Sequence, residues 1–333
     1  MNTIATAAHD QVLAELREAD KLLLTTHENP DGDALGSLLA MHYILQQLGK
    51  DSVMYMSPDE FPLPWEYRSL TFEGLVGAAP DDVAERRIVF LDCGNIDRMP
   101  VDFLKQEGLH VLNIDHHHDN TRFGTVNLVV GDASSTAEIV YGLAKELGAE
   151  ITPPIADALY VALVTDTGRF MYENTTPAAH IMAAELIEAG VSPHDVYRRL
   201  YEDLPFSRLE LLSRALSSVQ RHDDGAITVA HLTKGDFEST GALETDSEGI
   251  VDHMRAVQGT AVAVLVRELL ADERAGLRKV SLRATDGRVD VSQIARRMGG
   301  GGHRQAAGFT TELPYRELIE TLREQIAAQL ADG

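Results

Sequence analysis

Along the first 190 residues, short apolar runs alternate with stretches whose apolar positions recur every three or four residues. Residues 21–27 (KLLLTTH) read as a buried strand that stops at a loop of Asn, Pro, Asp and Gly. Residues 34–48 then show helical spacing and end at Gly49, a helix terminator. Residues 51–56, 87–92 and 110–115 are further strand candidates, and residues 135–147 and 154–164 further helices. Strands alternating with helices predict an α/β fold whose N-terminal part is a mostly parallel, Rossmann-like sheet buried on both faces. Ligands of such sheets sit beyond the carboxyl ends of the strands, and three of these strands end in His27, Asp92 and Asp115.

Residues 176–190 and 192–220 are almost wholly helical in pattern, with Pro205 breaking the second stretch in two. A new alternation begins at 226, with strand 226–232, helix 247–258, strands 261–269 and 277–284, and helix 291–298. A glycine run, a strand over 306–311 and a helix over 314–330 close the chain. At about 150 residues per domain, 333 residues suggest two domains. The expected division is a larger domain over 1–190, a helical linker over 191–225 and a smaller α/β domain over 226–333.

Charge narrows the function. Lys and Arg number 29 against 52 Asp and Glu, a formal net charge of −23. Such a chain is poorly suited to coating duplex DNA or an anionic membrane. A local phosphate site remains open, built from metal ions, glycine amides and a few placed arginines. The single cysteine, Cys93, excludes an intramolecular disulfide framework and reads as a small core residue. The first 20 residues form a charged helical pattern, and the longest apolar runs, such as 261–266, fall well short of the ~20 residues that span a bilayer. The expectation is a soluble, cytoplasmic protein.

Five constellations carry chemistry. His27-Glu-Asn-Pro-Asp31-Gly-Asp33 offers imidazole and carboxylate ligands at a strand end, although a solvated turn with Asp33 capping the next helix fits as well. Asp92-Cys-Gly94-Asn95 places an acid after an apolar run, where it could equally form a turn. Asp115-His116-His117-His118 ends another strand, and alternating side-chain direction implies different tasks for His116 and His117, one on metal and one on substrate. Asp166-Thr-Gly168-Arg169 follows an apolar helical run and could be no more than a helix stop. Gly299–Gly302 before His303 and Arg304 leave amides accessible to a phosphate. Jointly, these acids and histidines suffice for two metal sites sharing a carboxylate, the arrangement that hydrolyses phosphoesters.

In order, these motifs resemble the DHH-type phosphoesterases, whose signature appears here as Asp115-His116-His117. The segment GGGGHRQAAGF, residues 299–309, resembles the DHH-associated domain that accompanies them. The resemblance runs from about residue 21 to 309 and is strongest to short members acting as oligoribonucleases (nanoRNases) and 3′-phosphoadenosine 5′-phosphate (pAp) phosphatases. It implies a catalytic first domain and a substrate-binding second one. His27, Asp31 and Asp92 would ligate one divalent ion, most readily Mn²⁺ with Mg²⁺ or Co²⁺ as alternatives. Asp33, Asp92, His116 and Asp166 would ligate the other, with Asp92 bridging and His117 facing the scissile phosphate. Gly300, Gly301, Gly302 and His303, with Arg283 as a nucleotide contact, would hold the far end of the substrate. Short RNA or DNA oligonucleotides and small nucleotides are the implied partners, and a homodimer is compatible with the family. Rival readings are a cyclic-dinucleotide phosphodiesterase, a RecJ-like single-strand exonuclease, an inorganic pyrophosphatase or polyphosphatase, and a non-catalytic nucleotide sensor. The resemblance assigns no role to His118 or Arg304.

Overall fold

Helix α1 (Thr3–Glu18) leads into β1 (Lys21–Thr25), α2 (Gly32–Gln47), β2 (Asp51–Tyr55) and the two-residue β3 (Leu75–Val76). There follow β4 (Arg87–Leu91), β5 (Val111–Asp115), β6 (Val126–Val129), α3 (Thr136–Leu147), α4 (Pro153–Asp166), α5 (Pro177–Glu188) and α6 (Pro193–Tyr201). The computed structural model describes residues 3–332 apart from 100, 107, 203 and 303.

The six strands form one sheet in the order β3-β2-β1-β4-β5-β6, every pairing parallel. Successive connections run outward in one direction from β1 and in the other from β4, so the topological switch lies between those two neighbours. Side chains alternate across the sheet as the period of a strand requires. Leu22, Leu24, Val89 and Leu91 join the core that α1 to α5 cover. Leu23, Ile88 and Phe90 join a smaller core on the other face. Among the described residues, no α-helix closes that second face. Met99, Leu104 and Phe103, from the 3₁₀ turns and loops after β4, do so instead.

The chain divides into two units, Met1–Glu202 and Asp203–Gly333. Residues 191–225 are therefore split between the two rather than standing apart as a linker. Val196 and Leu200 of α6 belong to the first core, whereas Leu211 and Ala215 of α7 (Phe206–Ser217) belong to a core of the second unit.

The second unit continues with β7 (Gln220–His222), β8 (Ile227–Leu232), α8 (Lys234–Thr240), α9 (Ile250–Arg255), β9 (Val262–Glu268) and β10 (Arg278–Ala284). It ends with α10 (Val291–Arg297), β11 (Gly301–Gly302), β12 (Ala306–Thr311) and α11 (Tyr315–Asp332). Its sheet order is β11-β12-β10-β9-β8-β7, with β8 and β9 parallel and the other pairs antiparallel. The helix expected over 247–258 is shorter: a 3₁₀ turn over Glu244–Ser247 precedes α9, and Gly249 between them takes a left-handed φ of 78°. No helix among the described residues is long and apolar enough to cross a membrane.

Candidate metal centre

Each chemical side chain is delivered by a particular piece of backbone at the β1/β4 switch. Past β1, the chain turns at Pro30 and Asp31 caps α2, its carboxylate accepting the N–H groups of Asp33 and Ala34 at 3.1 Å each. The capping role thus falls to Asp31. Asp33 lies within the first helical turn, 1% exposed, and aims into the protein. Asp92 follows β4 directly with φ 59°, a left-handed conformation costing a non-glycine residue roughly 1–2 kcal/mol. The turn carries its carboxylate across the sheet end, while its N–H stays bonded to the carbonyl of Ile114 on β5 at 3.0 Å. Asp115 closes β5, and the next two residues bring both imidazoles to Asp92, His116 Nε2 at 3.7 Å and His117 Nδ1 at 3.5 Å from its Oδ1. Asp166 is the last residue of α4.

Two helix contacts bring these segments together. Helices α2 and α4 approach so closely that a Cβ on Gly36 would stand 2.4 Å from the Ala158 carbonyl and 2.8 Å from the Ala162 methyl. Only glycine fits, and the approach draws Asp33 and Asp166 toward one another. The amino end of α3 points at the same place. The N–H of Thr136 donates to Asp33 Oδ2 at 2.6 Å, that of Ala137 to Asp33 Oδ1 at 3.0 Å, and Thr136 Oγ1 to Asp92 Oδ1 at 3.0 Å.

The resulting geometry is a set of overlapping triads. His27, Asp31 and Asp92 present ligand atoms all within 4.8 Å of one another; so do Asp33, His116 and Asp166; so do Asp92, His116 and His117. Asp92 is shared: its Oδ2 lies 3.7 Å from His27 Nε2 and its Oδ1 3.7 Å from His116 Nε2. His116 Nε2 also stands 3.9 Å from Asp33 Oδ2 and 3.6 Å from Asp166 Oδ2. At such distances several acceptors and imidazole nitrogens surround common points without bonding directly to each other. Hard oxygen and borderline nitrogen donors in that disposition fit divalent cations.

Electrostatics gives the same reading. Burial raises the Asp33 carboxyl well above its usual range, and Asp92, Asp166 and Asp31 raise it further. Asp166 is pushed up to about 7, mainly by burial, with Asp31 and Asp92 adding to it and His116 opposing. Burial would raise Asp92 as well, but the surrounding His27, His117 and His116 outweigh it and hold that carboxyl low. Buried, crowded acids such as Asp33 and Asp166 resist ionising, and a bound divalent cation would favour their charged forms.

His117 is arranged differently. Its Nδ1 donates to Asp115 Oδ1 at 2.7 Å, and Asp115, fully buried, is held from its other oxygen by Asn120 Nδ2 at 2.5 Å. Burial works against its proton, but Asp115 and Asp92 win and raise His117 to about 9. It is a cationic donor with a fixed ring plane. His118 is exposed.

Several contributors escaped the sequence reading. Asp115 orients His117, Thr136 and Ala137 bind the acids, and Asn174 Nδ2 donates to Asp166 Oδ2 at 3.0 Å. One signal was present: Ser135-Thr-Ala-Glu138 marks a helix start, and Ser135 Oγ does accept the Glu138 N–H at 3.2 Å. Nothing in the residue order showed where that start would point.

In the second unit, Arg283 on β10 pairs across with Ala306 of β12, and the next residue, Ala307, pairs with Gly302. Arg283 and the glycine run therefore share one end of that sheet. Gly301 and Gly302 are exposed, whereas a Cβ on Gly300 would meet the Gly308 carbonyl at 2.1 Å. Arg283 Nε lies 3.5 Å from Asp252 Oδ1, and Arg304 donates to the Gly287 carbonyl at 2.7 Å. His303 lies outside the described residues.

Comparison with known proteins agrees with this picture. Residues 21–163 match the DHH family, N-terminal domain, and residues 226–332 match the DHHA1 domain. A Thermus thermophilus protein named bifunctional oligoribonuclease and PAP phosphatase NrnA is 35% identical, covering 95% of this chain and 94% of its own. A Bacillus subtilis protein of the same name is 28% identical over 87% of this chain and 88% of its own. Among solved structures, an exopolyphosphatase-related protein from Bacteroides fragilis superposes with a TM-score of 0.85 at 24% identity, covering 99% of both chains. RecJ from Thermus thermophilus, solved with Mn²⁺, gives 0.55 at 14% identity over 99% of this chain and 55% of its own. By its two matched domains and its full-length likeness to the Thermus relative, the chain belongs to the DHH family.

Proposed function

We propose that this protein is a metal-dependent phosphoesterase that hydrolyses short oligonucleotides, dinucleotides such as pApA among them, and pAp to mononucleotides in the cytoplasm. The observation that carries the reading is the shared carboxylate: Asp92 belongs to two triads of potential ligands, with His117 on its flank. The full-length relative named for oligoribonuclease and pAp phosphatase activity supports the choice of substrate.

His27, Asp31 and Asp92 would hold one ion and Asp33, Asp92, His116 and Asp166 the other, with Mn²⁺ the ion of choice. A bound pair of such ions activates water for attack on phosphorus and draws charge from the phosphate oxygens. The protein side chains do the rest. The α3 amides fix Asp33, and Thr136 fixes Asp92, so the ligands need little rearrangement. His117, backed by Asp115, donates from Nε2 to a non-bridging oxygen of the scissile phosphate and stabilises the charge that grows there. The glycine run Gly300, Gly301 and Gly302, together with His303 and Arg283, holds the distal phosphate or base; the Gly300 N–H itself is taken by the Ala295 carbonyl at 2.8 Å.

A hydrolysis panel with Mn²⁺ tests the reading: pApA, a labelled five-nucleotide RNA, pAp, a cyclic dinucleotide and pyrophosphate. Turnover of pApA, the five-mer and pAp is expected to exceed that of the other two. A preference for pyrophosphate would instead make the protein a pyrophosphatase. Asp92→Ala should abolish Mn²⁺-dependent hydrolysis, and unchanged rates would remove the shared-ligand role.

A further inference from the structure

One cationic side chain comes up against the acidic cluster and has no part in the scheme so far. Arg98 closes a 3₁₀ turn (Ile96–Arg98) shortly after Asp92 and is half-buried. Its backbone carbonyl accepts the Glu28 N–H at 2.7 Å, tying the loop after β4 to the loop after β1. Its Nη2 lies 2.9 Å from Nδ1 of His27.

That Nδ1 has a second neighbour, the Glu28 carbonyl, at 2.7 Å. The two contacts ask opposite things of one nitrogen. A guanidinium can only donate, so it needs a lone pair on Nδ1, whereas a carbonyl can only accept and needs a hydrogen there. His27 Nε2 is the atom facing Asp92, within the triad of His27, Asp31 and Asp92. A neutral ring that gives its Nε2 lone pair to a cation keeps its hydrogen on Nδ1. In that tautomer the bond to Glu28 is made, and the approach of Arg98 becomes donor against donor. Arg98 must then leave His27 for an acceptor.

The geometry points to Arg98 as a substrate-binding residue, a guanidinium that turns from His27 to a phosphate oxygen of the nucleotide once His27 serves as a ligand. The inference rests on the phosphoester hydrolysis proposed above. Charge favours it: four aspartates, Asp31, Asp33, Asp92 and Asp166, balance two dications, and a phosphate then brings negative charge that nothing in the ligand set offsets. Arg98 supplies a compensating cation in addition to His117, whose charge is already paired with Asp115, and its planar fork suits two phosphate oxygens.

The test uses the full chain, its Arg98→Met and Arg98→Lys variants, and two titrations. Calorimetry with Mn²⁺ reports the ligand set, and calorimetry of the Mn²⁺-loaded proteins with inorganic phosphate reports the clamp. Arg98→Met should bind Mn²⁺ at least as tightly as the parent, because a neighbouring positive charge and a competitor for Nδ1 have both gone. Its affinity for phosphate should fall about 10- to 100-fold, and KM for pApA should rise in step, with Arg98→Lys restoring part of both. Unchanged phosphate affinity in Arg98→Met would overturn the assignment. So would a loss of Mn²⁺ affinity as large as the loss of phosphate affinity, which would make Arg98 only a support for His27. A parent protein that binds Mn²⁺ but hydrolyses none of the panel would instead overturn the phosphoesterase reading, and the role of Arg98 with it.

Discussion

At the scale of single residues, the centre separates groups that await a cation from one that carries its own charge. Asp33 and Asp166 are raised by burial and by one another's neighbours, so in metal-free protein they retain protons that ordinary carboxylates would lose. A cation must displace those protons. Mn²⁺ affinity should therefore increase with pH, as Asp166 loses its proton near 7 and the raised Asp33 extends the dependence. Calorimetry in two buffers of different ionisation enthalpy checks this: the apparent heat should differ between buffers at pH 6, and the difference should shrink as pH rises. Equal heats at pH 6 would mean the acids are already ionised. His117 is the opposite case. Held at about 9 by Asp115, it is cationic at neutral pH, and the charged form disappears only as pH rises through that value. Asp115→Asn keeps the shape and removes the charge. In chelator-treated protein, the NMR titration of His117 should then move down toward the ordinary ~6.5. In the loaded enzyme kcat should fall by about 100-fold, the scale of a lost proton donor. A midpoint unmoved by the substitution would assign the raised value to Asp92 instead.

At the scale of elements, convergence depends on how closely α2 and α4 approach, and Gly36 sets that approach. Gly36→Ala must push the helices apart, costing about 1–3 kcal/mol by the usual penalty for overpacking. For a unit of this size that is a melting-temperature drop of roughly 2–4 °C per kcal/mol. The separation also moves Asp33 from Asp166, so Mn²⁺ affinity in calorimetry should weaken along with stability. A variant that melts lower yet binds Mn²⁺ unchanged would show that the α3 amides alone position Asp33. Elements of this kind were legible where period and punctuation agreed. The strands β1, β2, β4 and β5 and the helices α2 to α5 are found within two residues of where the apolar spacing puts them. The seven-residue α8 was missed because two turns are too few to show a period, although Thr233 and Asp236 form a capping box. Likewise β6, with four residues VNLV, is too short to declare itself beside β5. The second face of the first sheet went unread for a different reason: Met99, Phe103 and Leu104 cover it from turns, which have no periodicity at all.

At the scale of the whole molecule, sequence revealed the chemical types of the site but not its supports. Acids and histidines are visible as letters, whereas the amides of Thr136 and Ala137 belong to any residue and become functional only where α3 points them at Asp33. The same scale decides which part of the chain owns the centre. All six proposed ligands, His27, Asp31, Asp33, Asp92, His116 and Asp166, lie in the unit Met1–Glu202, as does His117. So do both cores that support its sheet, the larger reaching as far as Leu200 of α6. A fragment of residues 1–202 should therefore fold and bind Mn²⁺ with the stoichiometry of the full chain and an affinity within a few-fold of it. A fragment ending at 190 should do worse, because it loses Val191, Val196 and Leu200, three buried members of that core at about 1.5–3 kcal/mol each. Hydrolysis should divide from metal binding. Without Arg283 and the glycine run, the 1–202 fragment has lost the proposed hold on the far end of pApA, and its kcat/KM should drop by about 100-fold or more. Circular dichroism, calorimetry and kinetics on the two fragments and the full chain read the three properties separately. If the 1–202 fragment is folded yet fails to bind Mn²⁺, a ligand must come from the second unit. If it hydrolyses pApA as the full chain does, the second unit plays no part in holding that substrate.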